Sequence, residues 1–167
     1  MRLRAAILTV SDAAAAGSRA DASGPALAAA LAEELDVRPE ERAVVADDGL
    51  AIAEWLRTWC AAGFDLLLIT GGTGVAPRDR TPEAVRGLLD FEIPGLAEKM
   101  RAETGAGFPA AYLSRQVAGV RGRTVIVAFP GSPRGAVDCF RSIAALLPHA
   151  VALARGESPA HPAGETS

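Results

Sequence analysis

The residues best suited to chemistry lie in a glycine-rich segment near the middle of the chain. An apolar run at residues 66–69 is followed by Thr-Gly-Gly-Thr-Gly at residues 70–74 and then by Asp79. An apolar run of this length bounded by glycines predicts a buried parallel strand. The glycines after it let the backbone approach a ligand closely. The segment lacks the lysine of a Walker A loop, and Pro77 stands where a dinucleotide fingerprint has its third glycine.

Three other predicted strands also end in polar or turn-forming residues. These segments are Ser11-Asp12, Asp47-Asp48 and Pro130-Gly131-Ser132-Pro133. In a parallel sheet such ends gather at one edge, where open α/β sheets bind ligands. Glycine turns and helix N-termini offer N–H groups to phosphates, and carboxylates beside phosphates usually hold Mg²⁺. The pattern therefore predicts phosphoryl or nucleotidyl transfer, which relies on positioning and charge neutralisation.

Each of these residues also has a purely structural interpretation, which the sequence leaves open. Turn or helix-cap roles are open for four of them: Asp12, Asp47, Asp48 and Ser132. Asp79 could instead pair with Arg78 or Arg80 at the surface, and Arg115 could be an ordinary solvated charge. The glycines themselves could serve a tight strand-to-helix turn and nothing more.

Strands and helices alternate along the chain. Predicted strands cover residues 4–10, 42–46, 66–69, 112–120 and 124–128, and predicted helices cover residues 24–35, 50–62, 81–89, 96–103 and 133–147. This alternation predicts an α/β fold, a three-layer αβα sandwich with a mostly parallel central sheet. We expect a single domain over residues 1–155 and a flexible C-terminal tail over residues 156–167, which are small, polar and proline-containing.

Composition narrows the function classes. The chain has 167 residues, half of them hydrophobic, which is enough for a real core in one domain. The net charge of −3 predicts no general attraction to nucleic acid or to an anionic membrane. No apolar run is expected to reach the ~20 residues of a membrane span, and the N-terminus has no signal-peptide pattern, so we expect a cytoplasmic protein. Cys60 and Cys139 lack metal-binding spacing and are expected to be inert thiols.

Several segments together resemble one family. They are ILTVSD at 7–12, Asp21, SGP at 23–25, Asp47, TGGTG at 70–74, RD at 78–79, TPEA at 81–84, IPGL at 93–96, LSR at 113–115 and PGSP at 130–133. In this order they resemble the MogA/MoaB family of molybdenum cofactor biosynthesis. The resemblance covers nearly the whole chain except the tail.

The resemblance implies a molybdopterin adenylyltransferase, which uses ATP with Mg²⁺ to adenylate the terminal phosphate of molybdopterin and releases pyrophosphate. Asp47 and Asp79 carry over as the catalytic, metal-binding acidic pair. The nucleotide- and pterin-binding residues that it implies are Ser11, Asp12, Gly71, Gly72, Thr73, Gly74, Ser114, Arg115, Pro130, Gly131 and Ser132.

The resemblance also implies a homo-oligomer, a trimer or a hexamer, and a downstream metal-insertion protein as a partner. It does not decide whether the cofactor carries molybdenum or tungsten. Two alternatives stay open: a non-catalytic molybdopterin carrier or scaffold, which the intact Asp47 and Asp79 disfavour, and a nucleotide-pyrophosphatase type of domain, which the LSR and PGSP segments disfavour.

Three positions depart from the family pattern. Ala128 stands where the family usually has an amide, and Ala46 replaces a frequent proline before Asp47. The alanines at residues 13–16 replace an arginine-containing stretch, so a phosphate contact there is expected to be missing. None of these changes touches Asp47 or Asp79.

Overall fold

Six strands form one mixed sheet in the computed structural model, which describes residues 3–157. The strands are β1 (Ala5–Val10), β2 (Glu41–Val45), β3 (Leu66–Thr70), β4 (Phe91–Glu92), β5 (Ala118–Arg121) and β6 (Thr124–Phe129). Their order is β2-β1-β3-β6-β5-β4; the first four are parallel and the last two pair antiparallel. The central glycine-rich segment therefore follows an internal strand, β3, as expected.

Helices cover both faces of the sheet, which confirms the predicted three-layer architecture. They are α1 (Asp12–Ala15), α2 (Ser23–Leu35), α3 (Gly49–Ala61), α4 (Thr81–Arg86), α5 (Pro94–Gly105), α6 (Pro133–Ile143) and α7 (Leu147–Ala154). Alternate residues of β3 point to opposite faces. Leu66 and Leu68 pack into the core beneath α2, α5, α6 and α7, whereas Leu67 and Ile69 pack beneath α3 and α4.

The C-terminal helical segment corrects two expectations. The predicted single helix over residues 133–147 ends at Ile143, and a 3₁₀ turn at Ala144–Leu146 leads into α7, which has Pro148 in its first turn. By length and composition Pro133–Ala154 is also apolar enough to span a membrane, since an 18-residue stretch within it has a mean hydropathy of 1.4. Its apolar residues instead include core residues such as Phe140, Leu147 and Val151.

Three short elements also differ from expectation. Residues 112 and 113, predicted to start a strand, lie in a 3₁₀ helix at Pro109–Leu113, and β5 begins only at Ala118. The two-residue β4 is too short to give a periodic signal in the sequence. The alanine run after Asp12 lies outside the predicted helices but forms α1, because alanine favours helix and Ser11 caps it. Residues 158–167, most of the expected tail, lie outside the described part of the chain.

Both edges of the sheet are poor templates for further strands. The edge strand β2 carries the exposed charges of Glu41 and Arg42. At the other edge β4 has two residues, and Glu92 is ion-paired with Arg86. Short strands and edge charges limit pairing with a strand of another molecule.

A nearly buried ion pair fixes the start of β3 to the end of α7. Arg155 donates from Nε to Asp65 Oδ1 (2.8 Å) and lies with Nη2 2.6 Å from Oδ2, with side-chain exposures of 7% and 12%. The Arg4 backbone N–H also donates to Asp65 at 2.8 Å. Burial opposes ionisation of Asp65, but the hydrogen bonds from Arg155 and Arg4 outweigh it, so the pKa of Asp65 lies below its usual value.

Asp65→Ala should lower the free energy of unfolding at pH 7 by about 3 kcal/mol, because it removes the close ion pair of the buried Arg155 guanidinium, whose contact through Nη1 with Glu157 is looser, at 3.6 Å. The pKa of Asp65 is lower in the folded state, so its contribution is present above the unfolded pKa and is lost as pH falls through the folded pKa. Urea denaturation at pH 7 and in acid measures both effects. As a control, Glu92→Ala breaks the exposed pair with Arg86 and should cost about 0–1 kcal/mol; equal losses in the two variants would contradict the prediction.

Candidate active site

The glycine loop after β3, residues 70–74, requires two glycines for its shape. Gly71 and Gly72 have φ angles of +101° and +66°. A Cβ on Gly71 would lie 2.1 Å from the carbonyl oxygen of Val10. A Cβ on Gly72 would lie 2.4 Å from Thr81 Oγ1 and 2.6 Å from Asp47 Oδ2. The loop therefore packs directly against the end of β1 and against the Asp47 carboxylate.

Neighbouring strand and helix ends hold this loop in place. The Thr81 hydroxyl, fully buried, donates to the carbonyl of Gly71 at 2.8 Å, and the Thr81 N–H donates to the carbonyl of Gly72 at 3.2 Å. On the other side the Thr70 hydroxyl donates to the Pro130 carbonyl at 2.7 Å. Because Thr81 begins α4 and Pro130 follows β6, the loop is fixed between these two elements.

Arg115 braces the loop from outside. Its Nε donates to the carbonyl of Gly74 (2.8 Å), its Nη2 donates to the carbonyl of Asp79 (2.9 Å), and Nη1 forms an ion pair with Glu83. Its backbone N–H donates to the Thr73 carbonyl at 2.7 Å. Arg115 is therefore not an ordinary solvated charge, and its guanidinium holds the loop rather than facing a ligand.

The loop presents backbone donors with no partner in the described part of the protein. Within residues 3–157, no group accepts a hydrogen bond from the backbone N–H of Gly72, Thr73 or Gly74. The Thr73 side chain is buried, and its hydroxyl pairs with that of Ser114 at 3.0 Å. Successive N–H groups of this kind form a concave site for anions such as phosphate.

Two carboxylates flank the loop. Asp47 accepts from the Arg80 backbone N–H at 3.0 Å, and Asp79 accepts from the Ala76 backbone N–H at 2.8 Å. A Cβ on Gly74 would lie 2.6 Å from Asp79 Oδ2, which mirrors the contact of Asp47 with Gly72. Burial raises the pKa of Asp47, and the negative charges of Asp79 and Asp12 raise it further against the opposing Arg80 hydrogen bond. The two carboxylates are thus close enough to repel each other.

Asp12 links the first strand end to Asp47. It accepts two hydrogen bonds from Arg78, at 2.7 and 2.9 Å, and one from the Asp47 backbone N–H at 3.0 Å. Arg78 is the main cause of the lowered pKa of Asp12. Since Arg78 pairs with Asp12, it is not the surface partner considered for Asp79. Arg78 also brings a guanidinium beside α1, whose alanines replace the arginine-containing stretch of the family pattern.

The chemistry of this donor set fits Mg²⁺. Among the described residues, no group of three or more His, Cys, Asp or Glu side chains could enclose a metal ion. Mg²⁺, however, is usually bound by one or two carboxylates together with waters and substrate phosphates. Burial is the main cause of the raised pKa of Asp47, and the negative charge of Asp79 adds to it; a cation bound by both carboxylates would offset both effects.

A cleft of about 830 Å³ adjoins the loop, between α6 and the segment that follows α5. Ser114, Pro130 and Ser132 line it, together with residues that the sequence did not indicate, among them Phe108, Arg134, Cys139 and Arg141. A Cβ on Gly131 would lie 3.2 Å from Gly71 Cα, so this turn touches the glycine loop. The turn that lines the cleft therefore contacts the glycine loop.

The remaining candidates have structural contacts. Ser11 caps α1 by accepting from the Ala14 N–H at 3.2 Å, and Asp48 caps α3 by accepting from the Ala51 N–H at 2.9 Å. Ser132 caps α6 by accepting from the Gly135 N–H at 3.1 Å, and it also lines the cleft. The expected cap interpretations of Asp48 and Ser132 are thus confirmed.

Sequence reasoning missed two residues that shape the site. Thr81 stood out only as a helix start, although its hydroxyl anchors the loop. Gln116 is 2% exposed, and its amide nitrogen lies 3.0 Å from Cys139 Sγ in the cleft wall, so it ties the Arg115 segment to α6. Its position next to Arg115 was the available signal. The residue that replaces a family amide, Ala128, is fully buried in the apolar core beneath α3 and α4.

Comparison with known proteins gives a consistent result. The model of a family described as "probable molybdopterin binding domain" matches residues 6–149. A molybdopterin adenylyltransferase from Helicobacter pylori is 37% identical over 90% of this chain and 86% of its own. The molybdenum cofactor synthesis protein cinnamon from Drosophila melanogaster is 40% identical over 88% of this chain, which spans only 25% of that protein. The crystal structure of the molybdopterin biosynthesis enzyme MoaB from Thermus thermophilus superposes with a TM-score of 0.88 and 47% identity, covering 93% of this chain and 98% of that one.

Asp47→Asn should stabilise the ligand-free protein at pH 7. The raised pKa means that ionised Asp47 is less favourable in the folded state than in the unfolded chain, and asparagine removes that cost while still accepting from Arg80. Because Asp47 is only half-buried and solvent screens its charge, the gain should be at most roughly 0.5 kcal/mol, or about 1–2 °C in Tm. The difference should vanish in acid below the unfolded pKa, where Asp47 is protonated in both states.

Thermal unfolding followed by circular dichroism at pH 7 and in acid measures this effect. Asp48→Asn is the matched control, because Asp48 is exposed and asparagine caps helices equally well. A lower Tm for Asp47→Asn at pH 7 would show that Asp47 stabilises the fold instead.

Proposed function

Because this chain belongs to the probable molybdopterin binding domain family, we propose that it is a molybdopterin adenylyltransferase of molybdenum cofactor biosynthesis. It transfers AMP from ATP to the terminal phosphate of molybdopterin and releases pyrophosphate. The Helicobacter pylori relative bears this name and is matched over most of its length. The observation that carries the proposal is a row of backbone N–H groups without partners among residues 3–157, flanked by the Asp47 and Asp79 carboxylates and next to a cleft of about 830 Å³.

The nucleotide phosphates bind at the glycine loop. The N–H groups of Gly72, Thr73 and Gly74 donate to phosphate oxygens, and the glycines leave room for the phosphates to reach the backbone. Arg115 keeps these donors in place by holding the carbonyls of Gly74 and Asp79. Donors fixed before the reaction need no reorganisation as charge develops.

Asp47 and Asp79 are the residues that would hold Mg²⁺. The ion would supply charge neutralisation to the nucleotide phosphates. Asp12 positions the Asp47 backbone through its hydrogen bond, and Arg80 and Ala76 orient the two carboxylates through theirs. None of these residues has to act as a nucleophile.

Molybdopterin binds in the adjoining cleft. Its volume of about 830 Å³ lies within the range of small-molecule sites. The N-terminus of the eleven-residue α6, capped by Ser132, opens into this cleft and favours an anion such as the terminal phosphate. The contact of Gly131 with Gly71 supports this arrangement, because it brings the turn before α6 next to the glycine loop.

The bond changes then require positioning alone. An oxygen of the molybdopterin phosphate attacks the α-phosphorus of ATP, a new phosphorus–oxygen bond forms, and the bond to the β-phosphate oxygen breaks. Pyrophosphate leaves with that electron pair. Holding the two substrates in contact makes the step effectively unimolecular.

Other expectations from the sequence stay predictions. These are a single domain over residues 1–155, a trimer or hexamer, a downstream metal-insertion protein and a cytoplasmic location. The carrier or scaffold alternative has no feature of the described structure in its favour, because a carrier needs neither the carboxylate pair nor the loop donors.

Asp79→Asn should abolish adenylyl transfer without unfolding the protein, because asparagine can still accept from Ala76 but carries no charge for the cation. A loss of about 100-fold or more is expected for removing one electrostatic group from the reaction centre. Single-turnover transfer of label from α-labelled ATP with Mg²⁺ to molybdopterin measures it. Asp36→Asn is the matched control, since Asp36 is exposed and its φ of +52° suits asparagine.

Wild-type turnover in Asp79→Asn would remove Asp79 from the mechanism. Tight molybdopterin binding by the wild type with no label transfer would instead establish the carrier.

Arg134→Gln tests the cleft. Arg134 lines it near the start of α6, is 95% exposed, and pairs only loosely with Asp138 at 3.6 Å. Losing its charge should raise KM for molybdopterin by roughly fivefold, the equivalent of about 1 kcal/mol, and leave KM for ATP unchanged. Steady-state kinetics with each substrate varied measures this, with the exposed Arg38→Gln as control. A rise in KM for ATP alone would place the nucleotide in the cleft.

A further inference from the structure

A second cavity, of about 510 Å³, lies at the N-terminal ends of β3 and β6, opposite the strand ends that carry the glycine loop. Its walls come from the end of α3, the turn between β5 and β6, and the residue after α7. The five residues of β3 rise roughly 3.3 Å each, so this cavity is about one strand length from the glycine loop. Nothing in the proposed reaction uses it.

The cavity is strongly basic within an acidic protein. Four arginines and one aspartate line it, which leaves a net charge of +3 on a chain whose own net charge is −3. Burial raises the pKa of Cys60, the thiol in its wall, so this group adds no negative charge at neutral pH. Like charges gathered in a concave site raise the local concentration of anions.

Three of the four guanidinium groups have no carboxylate partner in the described part of the chain. Arg155 is neutralised by Asp65. Arg121 donates to the carbonyl of Leu88 (2.8 Å), and Arg123 donates to the carbonyl of Arg155 (2.9 Å). Among residues 3–157, no ion pair joins Arg57, Arg121 or Arg123 to a carboxylate.

The walls that carry these charges are fixed by internal bonds. The fully bonded Arg155–Asp65 pair forms part of the lining, and the Thr124 hydroxyl donates to the Phe64 carbonyl at 2.6 Å. The Asp90 carboxylate accepts a hydrogen bond from the backbone N–H of Gly122 at 2.6 Å, which holds the turn between β5 and β6. The four arginines therefore line a cavity whose walls exist before any ligand arrives.

From this convergence we propose that the cavity binds a small phosphate-bearing anion. Guanidinium groups match the oxygens of a phosphate with two parallel hydrogen bonds, which a point charge cannot do. The volume is within the range of small-ligand sites, so it admits inorganic phosphate or pyrophosphate. This site is separate from adenylyl transfer and does not depend on it.

Titration of the isotopically labelled protein with inorganic phosphate, and separately with pyrophosphate, tests the proposal by nuclear magnetic resonance. Gly63 and Gly122 report on the cavity, whereas Gly72 and Gly74 report on the glycine loop. Saturable shifts of the Gly63 and Gly122 amides and of the Arg57 and Arg123 Nε–H groups are expected. The anion that saturates them at the lower concentration identifies the ligand as a single phosphate or a diphosphate.

Arg57→Gln/Arg123→Gln should weaken this binding about tenfold or more, because it removes two of the charge-assisted hydrogen-bond donors that the anion would use. Arg38→Gln/Arg42→Gln removes the same charge from exposed positions outside the cavity and should leave the binding within about twofold, as expected when only the general field changes. Shifts confined to the glycine loop, or equal weakening in both double variants, would overturn the proposal. Because the readout is binding, its outcome is independent of the adenylyl transfer test.

Discussion

The glycine loop packs so closely on the end of β1 that the Val10 carbonyl oxygen occupies the space of a Cβ on Gly71. The positions of the other candidate site residues depend on this contact. It brings Gly72 against Asp47 and Thr81, and it brings Gly71 against Gly131 at the start of α6. Any side chain at Gly71 would push the loop away from β1 and separate the carboxylates from the backbone donors that they flank.

The same close packing has an electrostatic cost. Asp47 is partly buried beside Asp79 and Asp12, and its pKa is raised as a result. Arg78 neutralises Asp12. Arg115 donates to the backbone carbonyls of Gly74 and Asp79 and not to the carboxylate of Asp47 or Asp79. The protein thus leaves negative charge uncompensated at one point, which is the arrangement expected where a bound cation completes a site.

Local patterns made β3, its loop and the three-layer architecture predictable, because a buried strand and the glycines after it are adjacent in the sequence. The separation of α6 from α7 was not predictable, because the short 3₁₀ turn between them lies within a continuous apolar pattern. Residues 112–117 have the pattern of a strand but serve the loop through contacts such as that of Arg115 with Gly74, 41 residues away. Such long-range partners leave no periodic signal, so the brace, the cleft and the role of Gln116 required the structure.

The two edges of the sheet bear on how this chain would assemble. The charges on β2 and the two-residue length of β4 disfavour pairing of either edge with a strand from a second copy. Exposed apolar side chains lie elsewhere, including Leu50, Val75 and Phe108. An assembly of several copies would therefore join side-chain surfaces of helices and loops, so its subunits could separate without breaking any backbone hydrogen bond of the sheet.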